Sequence, residues 1–186
     1  MIIFNTERNL QIMTKDDTSA LIPAALDDPA AFGGLYDRYV QRIYRYVYSR
    51  VGSVYEAEDI TSQTFITAYE SLSRYRERGY FLAWLFRIAQ SKMTDHFRRS
   101  RREVGLEAAD RIIEREDALS EVIQDEEMSL LRFLIKKLSD DECELIRLRY
   151  VADLSFAEMA ELLGKREDAV KKSFYRLLER LKGQME

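Results

Sequence analysis

Apolar residues recur at steps of three and four along most of this chain, the spacing of one buried helix face. The first clear run is Phe32, Leu35, Tyr36, Tyr39, Val40, Ile43, Tyr44, Val47 and Val51. Asp28 and Pro29 precede it as N-cap and first helical residue, and Gly52 follows it as a stop. Ser53 and Glu56 have capping-box spacing and open a second helix, whose apolar face is Ala57, Ile60, Thr64, Phe65, Ala68 and Leu72. Residues 73–81, SRYRERGYF, break the rhythm and predict a basic, aromatic loop pivoting on Gly79. A third helix is predicted from Leu82 to Arg102, with Leu82, Leu85, Phe86, Ala89, Met93 and Phe97 at helical spacing. Its end carries His96, Arg98, Arg99, Arg101 and Arg102, cations that the helix dipole favours there.

The second half predicts shorter helices. Leu130, Leu131, Leu134 and Leu138 mark one from Glu127 to Leu138. Ser139 with Glu142 opens another that runs through Tyr150, and Ser155 with Glu158 opens FAEMAELL. Gly164 breaks that helix, and a last one runs from Glu167 to Lys182, sharing Ala160, Leu163, Val170, Phe174, Leu177, Leu178 and Leu181 as core partners. Strand-like alternation of useful length is absent from the sequence. The fold expected is therefore all-α, in two small helical domains. Residues 1–18 form a flexible extension, 19–102 the first domain, 103–126 an acidic linker and 127–186 the second domain. Met13 offers an alternative start to Met1.

Composition narrows the class. With 46% hydrophobic and 33% charged residues in 186, the chain can build a core and is not a disordered polymer. The single Cys143 excludes an internal disulfide and a Cys-based zinc site, fits a reducing cytosol, and reads as a small core hydrophobe. Nothing approaches a membrane span, and MIIFNTERNL has neither the basic start nor the apolar run of a secretory signal. The net charge of −4 argues against a polyanion partner until its distribution is seen. Residues 73–102 hold nine Lys or Arg against two Asp or Glu, 163–182 hold seven against three, and 103–126 reverse the balance with two against nine. Local field decides where nucleic acid docks.

Residues 155–176 have the form of a helix-turn-helix, a short helix and a longer one joined at Gly164. The exposed side of the second helix offers Arg166, Glu167, Ala169, Lys171, Lys172, Ser173 and Arg176, while Val170 and Phe174 read as core. Periodicity alone fits an ordinary αα-hairpin with a solvated face equally well. The glycine turn and the charge bias favour DNA. Residues 73–102 interleave cations with aromatics, the makings of a platform for single-stranded nucleic acid. Trp84, Phe86 and Phe97 read as core, and Tyr75, Tyr80 and Phe81 as candidates to touch a base. His96, the one histidine, lacks the partners of a metal site and reads as solvated or phosphate-facing. No Gly-rich phosphate loop and no nucleophile with a base is present in the sequence. Glu56, Glu58 and Asp59 are the ordinary acidic start of a helix. Neither an enzyme nor a cofactor is expected.

In this order the motifs resemble the extracytoplasmic-function sigma factors of RNA polymerase, over roughly residues 20–182. Residues 30–51, AAFGGLYDRYVQRIYRYVYSRV, are similar to that family's first helix. AEDITSQTFITAY (57–69) resembles its polymerase-binding segment, AWLFRIAQSKMTDHFRRSRR (83–102) its promoter −10 helix, and LSFAEMAELLGKREDAVKKSFYRLLERL (154–181) its −35 helix-turn-helix. The resemblance implies a promoter-recognition subunit acting with core RNA polymerase, docked on the largest-subunit clamp coiled coil and the flap. It implies promoter DNA and an anti-sigma factor as further partners. It places the protein in the cytoplasm, or at the membrane through that anti-sigma factor, without membrane insertion. Asp59, Ser62, Gln63 and Ile66 would meet polymerase. Tyr75, Arg76, Tyr80 and Phe81 of the loop would capture a flipped base of the melted −10 element, and Ser91, Lys92, Asp95, Arg98, Arg99 and Arg102 would face DNA. Residues Arg166 to Arg176 would enter the −35 major groove, and the linker would thread toward the RNA exit path. The chain departs from the pattern at Gln90-Ser91, where Arg-Asn is usual, at Gly164-Lys165-Arg166, where an apolar plug and an N-cap are usual, and at Lys172-Ser173. The many tyrosines of the first helix have no explanation at this level. A stand-alone helix-turn-helix regulator would instead dimerise on a palindrome, but no heptad seam is visible for that.

Overall fold

The computed structural model describes residues 15–76, 78–104, 130 and 133–185, with the side chains of 15–17, 19 and 101–104 excepted. The expected extension up to residue 14, most of the acidic linker (105–126), the predicted helix start at Glu127 and the Arg102 side chain lie outside the described residues. Among the described residues every regular element is helical.

The first helix, α1 (Lys15–Asp27), begins inside the segment expected as a flexible extension. It buries Ile22 and Ala25, and its Thr18 hydroxyl lies 2.6 Å from that of Tyr39. Asp28 accepts a 2.9 Å hydrogen bond from the Ala30 N–H, capping a short 3-10 turn (Pro29–Ala31) that runs into α2 (Phe32–Val51). Gly52, at φ 69°, ends α2 in the left-handed conformation that costs glycine nothing. Ser53 caps α3 (Val54–Ser71) by accepting from the Glu56 N–H. A 3-10 turn (Leu72–Arg74) and a loop then lead to α4 (Phe81–Val104). Leu35, Ile43, Val47, Ile60, Phe65, Leu85 and Phe86 form the core where α2, α3 and α4 meet.

In the second domain, residues 133–136 are helical and α5 (Asp140–Ile146) relaxes into a π turn, Arg147–Val151. The pair α6 (Phe156–Leu163) and α7 (Glu167–Met185) follows. Of the three predicted capping boxes, the two in this domain are complete: Ser139 with Glu142, and Ser155 with Glu158. Gly164 turns α6 into α7 at φ 63°.

The two domains are not held apart. The π turn packs on α2 and α6 packs on α4. Leu148, Ala152, Leu154 and Met159 of the second domain join one apolar cluster with Leu35, Ile43, Leu85 and Phe86 of the first. Fully burying such side chains contributes about 1.5 to 3 kcal/mol each. Leu134, Leu177 and Leu181 form a separate, smaller core.

The tyrosines of α2 now have individual reasons. Tyr39 meets Thr18, and Tyr36 stands edge-on to Phe65 with ring centres 4.9 Å apart. Tyr44 stacks on Tyr48, and Tyr46 reaches across the domain boundary to Glu144.

Candidate nucleic-acid interface and polymerase-binding face

On α3 the 3.6-residue repeat turns Ala57, Ile60, Thr61, Thr64, Phe65 and Ala68 inward. Asp59, Ser62 and Ile66 are therefore exposed together, with Gln63 half-buried between them. The Gln63 amide donates a 2.7 Å hydrogen bond to the Asp59 carboxylate, one helical turn back. Tyr69, one turn beyond Ile66, is also exposed and rests edge-on against Phe32. The periodicity does not single out Tyr69, because an aromatic near an apolar stripe reads as core.

The loop before α4 divides into two parts. Gly79 takes φ 77° and swings the chain into the helix. Arg76 and Arg78 are exposed, and Tyr75 and Tyr80 are half-buried. Phe81 corrects the expectation that it touches a base. It is 3% exposed, because it is the first residue of α4 and its ring is wedged among Tyr39, Tyr75 and Trp84. Phe81 thus supports the loop from beneath.

Along α4, Ser91, Arg98 and Arg99 are exposed, and Lys92 and Asp95 are half-buried. Asp95 organises the cations: its carboxylate accepts from Arg98 at 2.9 Å and its carbonyl from Arg99 Nε at 3.4 Å. His96 is half-buried. Its Nε2 lies 3.6 Å from the Glu56 carboxylate of α3, because the two helices cross there. Gln90 also faces inward, donating to the Tyr46 hydroxyl at 3.1 Å and to Glu144 at 3.2 Å. The Gln90 departure thus falls at the domain boundary and the Ser91 departure on the exposed face.

On α7, Val170, Phe174, Leu177 and Leu181 are buried, which leaves Arg166, Glu167, Ala169, Lys172, Ser173 and Arg176 exposed as the periodicity required. Lys171 is half-buried and pairs with Glu167 at 2.7 Å, a hydrogen bond that raises the pKa of the lysine. At the start of α7 the Arg166 carbonyl accepts from the Ala169 and Val170 N–H groups. The Arg166 side chain carries no acceptor, so the acids Glu167 and Asp168 answer the helix dipole there. Tyr175 is a further candidate that the sequence reading does not include. It is exposed, lies against Phe156 with ring centres 5.7 Å apart, and stands one turn from Lys171, a spacing that could have found it.

Two exposed basic faces, each backed by an apolar one, thus sit on two helical domains. The Sigma-70 region 2 family matches residues 35–103, and the Sigma-70 region 4 family matches residues 128–181. The chain is 36% identical to the ECF RNA polymerase sigma factor BldN of Streptomyces coelicolor, across 81% of this chain and 59% of that protein. It is 30% identical to the ECF RNA polymerase sigma factor SigW of Bacillus subtilis, across 85% of this chain and 90% of that one. This chain belongs to the extracytoplasmic-function sigma factors. Among solved structures the sigma factor resembles CnrH in complex with the cytosolic domain of CnrY, at 25% identity and a TM-score of 0.58, across 88% of this chain and 94% of CnrH. The chain spans well under two thirds of BldN and nearly all of SigW. As a sigma factor it directs transcription initiation. Among the described residues no helix is long and apolar enough to cross a membrane, and no His, Cys, Asp and Glu grouping could hold a metal ion.

Proposed function

We propose that this sigma factor divides its work among three surfaces. The α3 face of Asp59, Ser62, Gln63 and Ile66 docks on the clamp coiled coil of core RNA polymerase, and the second domain meets the flap. The loop residues Tyr75, Arg76 and Tyr80 take up an unstacked −10 base, at a cost of a few kcal/mol for unstacking, while Ser91, Lys92, Asp95, Arg98, Arg99 and Arg102 engage the surrounding DNA. Arg166, Glu167, Ala169, Lys171, Lys172, Ser173 and Arg176 enter the −35 major groove. Polymerase carries out the chemistry. The observation that most supports this division is the exposure of both basic faces, one on α4 and one on α7, against fully packed opposite faces.

An anti-sigma factor is the proposed regulator, by likeness to CnrH, which was solved with the cytosolic domain of CnrY. The protein then acts in the cytoplasm, or waits at the membrane on that partner.

The test mixes purified chain with core polymerase and sequences run-off transcripts from fragmented genomic DNA. New discrete start sites, absent with the Asp59→Arg/Gln63→Ala variant, are expected. Specific DNA binding without polymerase, and no new starts, would instead make the chain a stand-alone regulator.

A further inference from the structure

We propose that His96 and Glu56 form a positioning contact for the −10 face. The pair fixes how the end of α4 leaves α3, holds more firmly when His96 carries a proton, and so makes promoter opening by this sigma factor weaken as pH rises. This rests on the −10 role proposed for α4.

Chain order sets up the contact. A short turn and a loop join the end of α3 to the start of α4, and the start of α3 lies beside the later part of α4. The two helices therefore run antiparallel. Ser53 caps α3 by accepting from the Glu56 N–H. The Glu56 carboxylate, which a complete capping box would turn back to Ser53, reaches across to His96, with Oε1 and Nε2 3.6 Å apart. The two side chains are only 29% and 22% exposed, so water and salt screen them less than a pair on the open surface. The imidazole also stands edge-on to Phe97, ring centres 5.7 Å apart, and Phe97 packs on the core.

The pair sits where it has most leverage over DNA. α3 begins at Val54, two residues before Glu56, so it gives α4 little support beyond His96. α4 continues for eight residues from His96 to Val104, about 12 Å at about 1.5 Å per residue. Arg98 and Arg99 lie on that overhang, organised by Asp95, the neighbour of His96. The other end of α4 is anchored in the core by Phe81, Leu82 and Leu85, beneath the Tyr75 and Tyr80 loop. A small change of angle at His96 therefore moves the two arginines relative to that loop.

Charge decides how firmly the pair holds. Histidine is the side chain that ordinarily changes charge between about pH 5 and 8. As imidazolium it attracts Glu56, and as neutral imidazole it loses that attraction. Glu56 lies in the first turn of α3, where the helix dipole favours an anion. On α4 itself, Lys92 and Arg99 stand one turn to either side of His96, and Asp95 stands next to it. α2, α5 and α6 meet α4 elsewhere, with Gln90 facing Tyr46 and Glu144, and Arg87 facing Glu161. Among the described residues, Glu56 is the charged group that faces His96 from a neighbouring helix. The attraction is thus present at low pH and lost as pH rises through the imidazole titration.

The test uses polymerase carrying the full chain, on a promoter found by the run-off experiment. Permanganate reactivity of the −10 region follows the lifetime of the open complex from about pH 6 to about pH 8. Polymerase and DNA titrate as well, so the quantity read is the ratio of parent to His96→Gln. That ratio should fall several-fold across the range. In a Glu56→Gln background the same substitution should give a ratio near unity at every pH, because the two side chains act as one unit. His96→Arg, a cation throughout, should keep the parent's low-pH lifetime to the top of the range, and it serves as the reference if His96→Gln does not fold. Affinity for core polymerase should be equal in all of these proteins, which separates positioning from loss of the fold. Normal opening with a ratio that is flat in pH overturns the inference alone, as does a ratio that falls equally without Glu56, or core affinity that drops in step with lifetime. No −10 opening by the parent at any pH overturns the −10 role of α4, and the positioning role with it.

Discussion

The Tyr46 hydroxyl of α2 donates a 2.5 Å hydrogen bond to the Glu144 carboxylate of α5, across the boundary between the domains. Burial, and then the charge of Glu144, raise the Tyr46 pKa far above the phenol range, so this group remains a donor at any pH the fold tolerates. Tyr46→Phe leaves the ring packed on Phe86 and removes that donor. A loss of about 1.5 to 3 kcal/mol is expected, the worth of a hydrogen bond to a charged group. Urea unfolding of the full chain measures it, and an unmoved midpoint would mean that water replaces the tyrosine.

Gly164→Ala tests the turn of the helix-turn-helix. A Cβ there meets nothing within 4 Å, so any cost comes from φ 63° alone. That cost is about 1 to 2 kcal/mol for a residue forced into the left-handed region. Thermal melts should show it, and Gly164→Asn should recover part of it.

Glu142 gives the stability a pH signature. The hydrogen bond from the Ser139 N–H, and then Arg180 at 2.7 Å, hold its pKa below the ordinary 4.5. A carboxylate with a depressed folded pKa stabilises above its unfolded value, and that contribution is lost as pH falls through the folded one. The stability gap between the parent and Glu142→Gln should be full at neutral pH and close progressively below about 4.5. Urea melts across that range decide it, and a gap that is constant with pH would count against the carboxylate.

Phe81 and Arg76 should respond in opposite ways. Phe81→Ala empties a packed aromatic site and should cost about 3 to 5 kcal/mol of stability. Arg76→Ala, at an exposed position, should leave stability within about 0.5 kcal/mol and weaken promoter opening. Melting curves and permanganate footprinting of the −10 region separate the two effects.

Lys172→Ala and Arg176→Ala should each flatten the salt dependence of promoter binding by polymerase carrying this sigma factor. Removing a cation that neutralises one phosphate reduces the steepness of log K against log salt by about 0.9. Unchanged slopes with altered base preference would instead assign these side chains to base edges.

The elements that were legible in the sequence carry their instructions locally. Ser155, Glu158 and Gly164 specify where α6 begins and ends, and the alternation of Val170, Phe174, Leu177 and Leu181 with cations specifies which side of α7 is exposed. α1 was not legible, because Pro23 lies inside it and, among its described side chains, only Ile22 and Ala25 are buried. Phe81 was misplaced because Gly79 suggested a loop that ran past it, whereas the helix starts on its ring. The docking of the domains escaped altogether. Arg42, Arg87 and Glu144 look like solvated charges in sequence, and their partners lie more than fifty positions away in the chain.

The apolar cluster shared by the two domains bears on what happens when the chain is cut. A break between residues 104 and 130 would leave each fragment with raw apolar surface, Leu148, Ala152, Leu154 and Met159 on one and their α2 and α4 partners on the other. In the intact chain the tether keeps these surfaces at an effective concentration in the millimolar range, about what a short covalent link provides. Severed, the same surfaces must find each other by diffusion. The halves would then associate in trans at high protein concentration and drift apart on dilution, turning a property of fold into one of dose.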